Sequence, residues 1–252
     1  MHERCRSLPV GRLVTDGALL GLPIGALPAA PWPEPVPAPG ERPLPDSIER
    51  RRSTDLLVVD LSSMWAGPLA GAVLAAAGAR VLKVESSRRP DGARLGPPEL
   101  FDRWNSGKER VAVDLSADGG RRELEHLLRS ADVVIESSRP RALAQLGIDA
   151  DAMVGDDGPD VWVSITGHGR TGDAGPRVAF GDDAAVAGGL VTRWQGEPCF
   201  VADAVADPLT GLVAAAAALE AVAGGARGLL DVPMALVAAH FAAPRSGAVV
   251  DR

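Results

Sequence analysis

The fold is decided by residues 56–84, which read LLVVDLSSMWAGPLAGAVLAAAGARVLKV. The stretch opens with an apolar, β-branched run at Leu56–Leu61 and closes with a second one at Arg80–Val84. Short runs of this composition are typical of buried strands. The small-residue segment between them is long enough to cross over as a helix. Residues 56–84 therefore predict one strand–helix–strand unit of a parallel sheet.

Helix-end signals place the crossovers of this sheet. Pro68 suits a first helical position and Gly78 a C-terminal cap, which predicts a helix over Ala70–Ala77. Ser116 is expected to cap a second helix over Ala117–Arg129, in which leucines recur at three- and four-residue spacing. Both helices are expected to pack on the sheet.

The same alternation continues through most of the chain and predicts an α/β fold with a Rossmann-like open parallel sheet and flanking helices. After the first unit, a further alanine-rich helix is expected at Leu209–Ala223. The remaining expected strands are Val111–Leu115, Asp132–Ile135, Val161–Ile165 and Gly228–Val232.

The chain is expected to divide into three parts. Residues 28–52 form a proline-rich linker, since eight prolines fall between Pro28 and Pro45 and favour extended conformations over packed helices. Residues 1–27 form an N-terminal segment that is too short to fold alone and is expected to dock on the main domain. Residues 53–252 form that domain.

Composition excludes several functional classes. The 252 residues are 46% hydrophobic, enough for a sizeable core. Acidic residues outnumber basic ones by 33 to 26, and the basic residues are scattered, which argues against a nucleic-acid partner. The apolar stretches are interrupted before they reach about 20 residues, so no membrane span and no membrane partner is expected.

The cysteines and histidines indicate neither a disulfide framework nor a metal site. Cys5 and Cys199 are far apart, no CxxC occurs, and the four histidines lack ligand spacing. A reducing, cytoplasmic location is the expectation, with no metal and no permanently bound cofactor.

Two glycine-containing stretches resemble nucleotide-binding motifs without their context. Gly167–Gly172 satisfies GxGxxG, yet it follows the fifth expected strand and continues as a loop, which argues against a dinucleotide. Asn105–Lys108 resembles the end of a phosphate loop, but Asp102 stands where that loop needs a glycine.

Adjacent carboxylates at Asp182 and Asp183 precede the small-residue segment that ends in Gly188 and Gly189. By spacing alone they are helix-capping residues. The two glycines offer either backbone N–H donors for an oxyanion or simply room for tight packing.

Ordered motifs along residues 55–240 closely resemble the family III CoA-transferases. They are Asp60-Leu-Ser, Ala66-Gly-Pro68, Gly78-Ala-Arg-Val-Leu-Lys-Val-Glu85, Asn105-Ser-Gly-Lys108, Val113-Asp-Leu115, Ala131-Asp-Val-Val-Ile-Glu136, Arg139-Pro140, Leu146-Gly147, Val163-Ser-Ile-Thr-Gly-His-Gly169, Asp207-Pro-Leu-Thr-Gly211 and Leu230-Asp-Val232.

This resemblance implies CoA transfer between an acyl-CoA and a carboxylic acid through an aspartyl anhydride and an aspartyl-CoA thioester. The nearest matches to the family's nucleophile are Asp182, which we favour, and Asp183. Counted back from Gly189 without a gap, the nucleophile position falls on Gly181, so a one-residue shift is needed. This chemistry also needs amides that stabilise each oxyanion, and Gly188 and Gly189 are the candidates because they follow these carboxylates and have no side chain.

The resemblance also implies a CoA site, with CoA or acyl-CoA as a substrate. Met64, Trp65 and Ala66 are expected to border the adenosine, and Arg88, Lys108 and Arg139 to be the nearest cations for its phosphates. Ser137 and Ser138 replace a pair that is commonly Asn-Phe in the family, which implies an altered pocket.

Family members usually continue through a second domain that interlocks two subunits, and most of that domain is missing from this sequence. A homodimer or a separate partner subunit is therefore expected, and a non-catalytic CoA-binding or partner subunit is the alternative function. Leu19–Gly25 weakly resembles part of the second domain. Racemisation of 2-methylacyl-CoA is the weaker alternative, because no histidine lies between Arg139 and Gly147.

Overall fold

A computed structural model describes residues 7–28, 56–155 and 157–242. Six parallel strands form the central sheet, and two further strands form an antiparallel hairpin. The sheet strands are β1 (Leu57–Asp60), β2 (Arg80–Ser86), β3 (Glu109–Val113), β4 (Val133–Glu136), β5 (Val161–Thr166) and β8 (Gly228–Pro233), and the hairpin strands are β6 (Val191–Trp194) and β7 (Glu197–Phe200).

The strand order in the sheet is β3-β2-β1-β4-β5-β8, and every neighbouring pair is parallel. Apart from the inserted hairpin, this is the order of the classic Rossmann fold. The predicted α/β class and open parallel sheet are therefore confirmed. The chain reverses its direction of winding between β1 and β4, where open α/β sheets bind their ligands.

Nine α-helices occur within the described residues. They are α1 (Val10–Leu19), α2 (Ala66–Ala76), α3 (Pro98–Asn105), α4 (Asp118–Ser130), α5 (Pro140–Ala144), α6 (Ala150–Met153), α7 (Gly181–Gly188), α8 (Ala206–Ala223) and α9 (Met234–Ala242). Short 3-10 turns lie at Gly92–Leu95 and Gly172–Ala174.

The sheet separates two apolar layers because successive side chains of a strand point to opposite faces. Val58 and Val133 face the layer that contains α2, α7, α8 and α9. Their neighbours Val59 and Val134 face the layer that contains α4, α5 and α6. The first layer is therefore built around small-residue helices, and the second around helices with larger apolar side chains.

Local signals succeeded at some helix ends and failed at others. Gly78 follows α2 with φ of 102°, as its expected role at the C-terminus requires. Pro68 is the third residue of α2, because that helix begins earlier than predicted. Ser116 does not cap α4, since its hydroxyl donates to Asp114 Oδ1 at 2.6 Å. Strand β3 also starts two residues before its predicted first residue, Val111.

Helix α8 is the one helix of the described residues whose length and composition would allow it to cross a membrane, and 44% of it is buried inside the protein. It packs against α2 and α9 and lies beside β5 and β8. These contacts are those of a core helix.

The N-terminal segment contacts the main domain through residues 24 and 25. A Cβ on Gly25 would overlap the carbonyl oxygen of Asp183 in α7. Arg177 Nη2 donates to the Ile24 carbonyl at 3.1 Å. The proline-rich linker expected at 28–52 lies, beyond Pro28, outside the described residues.

Candidate functional site

Two adjoining cavities lie at the carboxyl ends of β1, β4 and β5. The inner pocket has a volume of about 140 Å³ and the outer pocket one of about 460 Å³. They share six wall residues: Ser137, Ile165, Thr166, Gly167, Ala179 and Phe180. Their position at the reversal point of the sheet is where this fold class binds ligands.

The outer pocket is strongly cationic. Arg89, Arg139, Arg141 and Arg177 line it, and no carboxylate lies among its described wall residues. Arginine suits phosphate groups because its planar guanidinium donates two parallel hydrogen bonds. Burial lowers the pKa of Arg177, and the negative charge of Asp183 partly offsets this effect by raising the pKa. The pocket therefore offers a polyanion several charged donors within one cavity.

The loop after β1 lines the inner pocket and is held in place by buried charged side chains. Met64 has a φ of 73°, and its N–H donates to Asp91 Oδ1 at 3.0 Å. Lys83 lies 3.1 Å from Asp91 Oδ2 and also donates to the Ser62 carbonyl. Because both charged side chains are fully buried, loss of either would leave the other unpaired.

Lys108, expected to contact phosphate, faces the interior instead. Its ammonium donates to Asp60 Oδ2 and the Pro68 carbonyl, both at 2.7 Å, and to Asn105 Oδ1 at 3.1 Å. Its side chain has no exposed area. Burial is the largest influence on the pKa of Lys108 and lowers it. These three acceptors commit Lys108 to holding the start of α2, so its ammonium does not face either pocket.

Arg88, the second expected phosphate ligand, also points elsewhere. It is exposed and pairs with Asp114, 3.1 Å away. Hydrogen bonds from Ser116 and Arg88 lower the pKa of Asp114 to about 2. The next residue, Arg89, lines the outer pocket in its place. Arg139, the third expected cation, does lie in that pocket.

The two serines after β4 lie in the pocket walls. Ser137 lines both cavities and accepts the N–H of Ser63 at 3.2 Å. Ser138 lines the outer pocket, and its hydroxyl donates to buried Glu136 at 2.6 Å. Glu136 also accepts from Arg170 Nη1 at 3.3 Å. This network holds the loop that separates β4 from the pocket.

The residues expected to border adenosine divide between the pocket and the core. Met64 and Ala66 line the inner pocket. Trp65 instead stacks on Trp104 with ring centroids 6.5 Å apart, and its indole Nε1 is buried without a partner. Trp65 therefore packs helix α3 against the loop, and Met64 is the side chain available to a ligand.

Asp182 and Asp183 both take part in structural hydrogen bonds at the start of α7. Asp183 Oδ1 accepts the N–H of Phe180 at 2.7 Å, which closes the helix N-terminus. Its other oxygen is buried without a partner, and burial raises its pKa. Asp182 Oδ1 accepts the N–H of Ala204 at 2.9 Å. Neither aspartate is among the residues that line the two pockets.

Gly188 and Gly189 lie at the opposite end of α7 from these carboxylates. A Cβ on Gly188 would come within 2.6 Å of the Ala235 carbonyl, so this glycine permits close packing on α9. Gly189 has a φ of 79°, and its N–H already bonds to helix carbonyls. The expected oxyanion role is not supported, and packing and capping account for both glycines.

Asp207 is the site residue that sequence reasoning did not single out. It lines the inner pocket, and its carboxylate accepts the backbone N–H groups of Gly181 and Ala66. Burial, the largest influence, raises its pKa to about 6. It stood within the family-like Asp207–Gly211 motif, but nothing in that motif indicates where its side chain points.

Sequence and structure comparisons bear on this site. The family described as CoA-transferase family III matches residues 54–248. A relative named probable fatty acyl-CoA transferase, from Mycobacterium tuberculosis, is 30% identical over 201 residues, covering 75% of this chain and 51% of the relative. The succinate–glutarate CoA-transferase of Agrobacterium fabrum is 32% identical over 209 residues, covering 72% of this chain and 52% of the relative.

The fold matches as well. The crystal structure of the M. tuberculosis relative superposes with a TM-score of 0.66 at 30% identity, covering 74% of this chain and 54% of that one. The crystal structure of a CAIB/BAIF family protein from Brucella suis superposes with a TM-score of 0.66 at 29% identity, covering 76% of this chain and 55% of that one. The chain spans about half the length of these two curated relatives.

Proposed function

Because this chain belongs to CoA-transferase family III, we propose that it moves CoA from an acyl-CoA thioester to a carboxylic acid. CoA enters this reaction as a substrate, and the proposal requires no metal and no permanently bound cofactor. The observation that carries it is the cationic outer pocket, which opens onto a smaller, carboxylate-bearing pocket at the reversal point of the sheet.

The outer pocket supports binding of the phosphates of CoA. Arg139 directly precedes α5 and Arg141 is its second residue, and Arg89 and Arg177 approach the same cavity from the loops after β2 and β5. A diphosphate and a ribose phosphate carry several negative charges, which four guanidinium groups can match. Met64, Ala66, Ser137 and Ser138 then border the passage to the inner pocket.

The inner pocket supports a position for the reacting acyl group beside a carboxylate. Three carboxylates surround the start of α7: Asp182, Asp183 and Asp207. The charges of Asp182 and Asp183 are close enough to raise the pKa of Asp207. A carboxylate is the nucleophile this chemistry needs, because it forms an anhydride and then an aspartyl-CoA thioester. We propose that one of these three aspartates has that role.

Calorimetry with CoA tests the binding half of this proposal. Replacing Arg139 and Arg141 together by Gln removes two charges from the outer pocket and should weaken CoA binding by tenfold or more. Arg88→Gln is the matched control, since that guanidinium pairs with Asp114 outside the pocket. Equal loss in the control and the double variant would contradict the proposed CoA site.

The transfer half is tested with small and fatty acids, chosen because the relatives are named for fatty acyl-CoA and for succinate and glutarate. The assay supplies succinyl-CoA or butyryl-CoA with glutarate, acetate or octanoate and follows new thioesters by mass spectrometry. A new acyl-CoA supports transfer. CoA binding without any new thioester overturns it.

A non-catalytic CoA-binding or partner subunit is the second candidate. It is favoured by the structural hydrogen bonds that occupy Asp182 and Asp183. A homodimer or a complex with a partner chain fits either function, and the exposed aromatic side chains of the β6–β7 hairpin, Trp194 and Phe200, support such an assembly. Sedimentation of the chain alone measures its oligomeric state.

A further inference from the structure

Asp207 lies where the N-termini of three helices meet. It is the second residue of α8, and its carboxylate accepts N–H groups from Ala66, the first residue of α2, and Gly181, the first residue of α7. Gly211, one turn along α8, permits this approach, because a Cβ there would lie 2.6 Å from the Ala66 carbonyl. The packing of α8 on α2 thus fixes the carboxylate.

The absence of a side chain at Gly181 makes room for this carboxylate. A Cβ built on Gly181 would overlap both Asp207 Oδ2 and the Ala204 carbonyl oxygen. Asp207 therefore occupies the volume into which a side chain at the first position of α7 would project. The carboxylate of Asp207, which belongs to α8, therefore lies at the N-terminus of α7.

Asp207 is also the one carboxylate among the described residues that line the inner pocket. Asp183 bonds to the Phe180 N–H and Asp182 to the Ala204 N–H, so both fix the backbone around α7. Their charges face Asp207 and, with burial, raise its pKa, while the two amide donors lower it. A carboxylate more basic than usual is a better nucleophile while it remains ionised at neutral pH.

Resting on the CoA transfer proposed above, we infer that Asp207 is the aspartate that attacks the acyl-CoA thioester. One oxygen of Asp207 bonds to the thioester carbonyl carbon, the C–S bond breaks, and CoA leaves as a thiolate, which leaves a mixed anhydride on Asp207. The thiolate then attacks the Asp207 carbonyl carbon and releases the first acid as its carboxylate, giving an aspartyl-CoA thioester.

The second half of the cycle repeats these steps in reverse with a new acid. The acceptor carboxylate attacks the aspartyl carbonyl and displaces CoA thiolate, which forms a second mixed anhydride. The thiolate attacks the acceptor's acyl carbon, so that the new acyl-CoA leaves and the Asp207 carboxylate is regenerated. No proton, electron or further reactant is consumed.

Hydroxylamine trapping on the wild-type chain tests this assignment. The protein is incubated with acetyl-, butyryl- or succinyl-CoA and hydroxylamine, whose nitrogen attacks an activated aspartyl carbonyl and leaves a hydroxamate. Peptide mapping by mass spectrometry then identifies the modified aspartate without any substitution. The expected result is a hydroxamate at Asp207.

A glycine pair provides the matched variants. Gly181→Ala keeps every carboxylate but adds the Cβ that would displace Asp207, so the Asp207 hydroxamate should fall to background. Gly119→Ala is the control, because Gly119 is the second residue of α4 and nothing lies within 4 Å of its Cβ position. Both variants are checked for CoA binding and native circular dichroism.

The outcomes separate this inference from the function on which it rests. A hydroxamate at Asp182 or Asp183 overturns the role of Asp207 but retains CoA transfer. CoA binding without any hydroxamate overturns the Asp207 assignment and favours the non-catalytic subunit. Absence of CoA binding overturns both proposals. A hydroxamate at Asp207 that persists in a folded Gly181→Ala chain overturns the proposed dependence on Gly181.

Discussion

The carboxylate of Asp207 accepts the backbone N–H of Gly181, although 26 positions separate the two residues in the sequence. This contact ties the start of α8 to the start of α7 beside the inner pocket. It places a buried anion against two helix N-termini, whose partial positive charge favours the ionised form. The reactivity of the site should therefore depend on the protonation of Asp207.

The first prediction concerns the pH dependence of transfer. Burial raises the pKa of Asp207 to about 6, and only the ionised carboxylate can attack a thioester. The single-turnover rate should rise as pH increases through about 6 and then level off. Rapid-quench kinetics with butyryl-CoA measure it. A rate that is flat from pH 5 to 8 would contradict a role for this carboxylate in the chemical step.

A second prediction concerns the buried ion pair beneath the loop after β1. Lys108→Met would leave Asp60 charged and unpaired in the core, which should lower the free energy of unfolding by about 3–5 kcal/mol. Arg80→Met breaks an exposed, solvent-screened pair with Glu109 and should have a much smaller effect. Urea denaturation compares them. Similar costs for both would show that the Lys108 pair is not buried as described.

The third prediction tests packing against chemistry at Gly188. Its Cβ position lies within 2.6 Å of the Ala235 carbonyl, so Gly188→Ala should lower the free energy of unfolding by about 1–3 kcal/mol through overpacking. The folded variant should still form the hydroxamate. Gly119→Ala again serves as the control, since its site is open. A stable variant that loses only the hydroxamate would restore the oxyanion role.

The fourth prediction follows from the partly buried ring of His168. Burial, with a smaller effect from Arg177, lowers its pKa from 6.5 to about 4, so the folded state disfavours its protonation. Stability linked to His168 is present above pH 6.5 and is lost as pH falls toward 4.

Thermal and urea unfolding of wild type and His168→Gln at pH 7 and pH 4 isolate this contribution. The wild type should lose about 1–2 kcal/mol more than the variant on acidification, a value reduced because the ring is partly exposed. Parallel curves for the two proteins would show that His168 is protonated as easily in the folded state as in the unfolded one.

Salt should weaken CoA binding, because the outer pocket is cationic and open. Charges at a surface are screened within about 10 Å at 0.1 M ionic strength. We predict that the CoA dissociation constant rises between 0.05 and 0.5 M NaCl, and that the Arg139→Gln/Arg141→Gln variant shows a shallower rise. Titration calorimetry measures both slopes, and identical slopes would place the phosphates away from these arginines.

The sheet was predictable because its signals are local. The apolar runs that become β1 and β5 are continuous in sequence, and Gly78 stands directly at a helix end that needs a positive φ. Ser116 failed as a cap because Asp114 competes for its hydroxyl, a contact that spacing does not indicate. The family resemblance added CoA as the expected ligand.

The site itself depends on tertiary contacts that sequence does not specify. Arg89 and Arg177 meet in one cavity although they follow different strands, and Arg88 turns away from it toward Asp114. Lys108 belongs to a family-like motif, yet its partner Asp60 lies inside the core. Asp207 reaches α7 only because α8 crosses both helices. Motif matching therefore indicated a region of the sheet, while the side chains of Arg88 and Lys108 point away from the two pockets.

The most direct test of the account is the transfer assay with the intact chain. Butyryl-CoA and isotopically labelled glutarate are incubated with wild type, Gly181→Ala and Gly119→Ala, and labelled glutaryl-CoA is quantified by mass spectrometry, with octanoate and acetate as further acceptors. The account predicts labelled thioester from at least one acceptor with wild type and Gly119→Ala and its loss with Gly181→Ala. No labelled thioester from any acceptor, with a folded chain that binds CoA, would contradict CoA transfer by this protein.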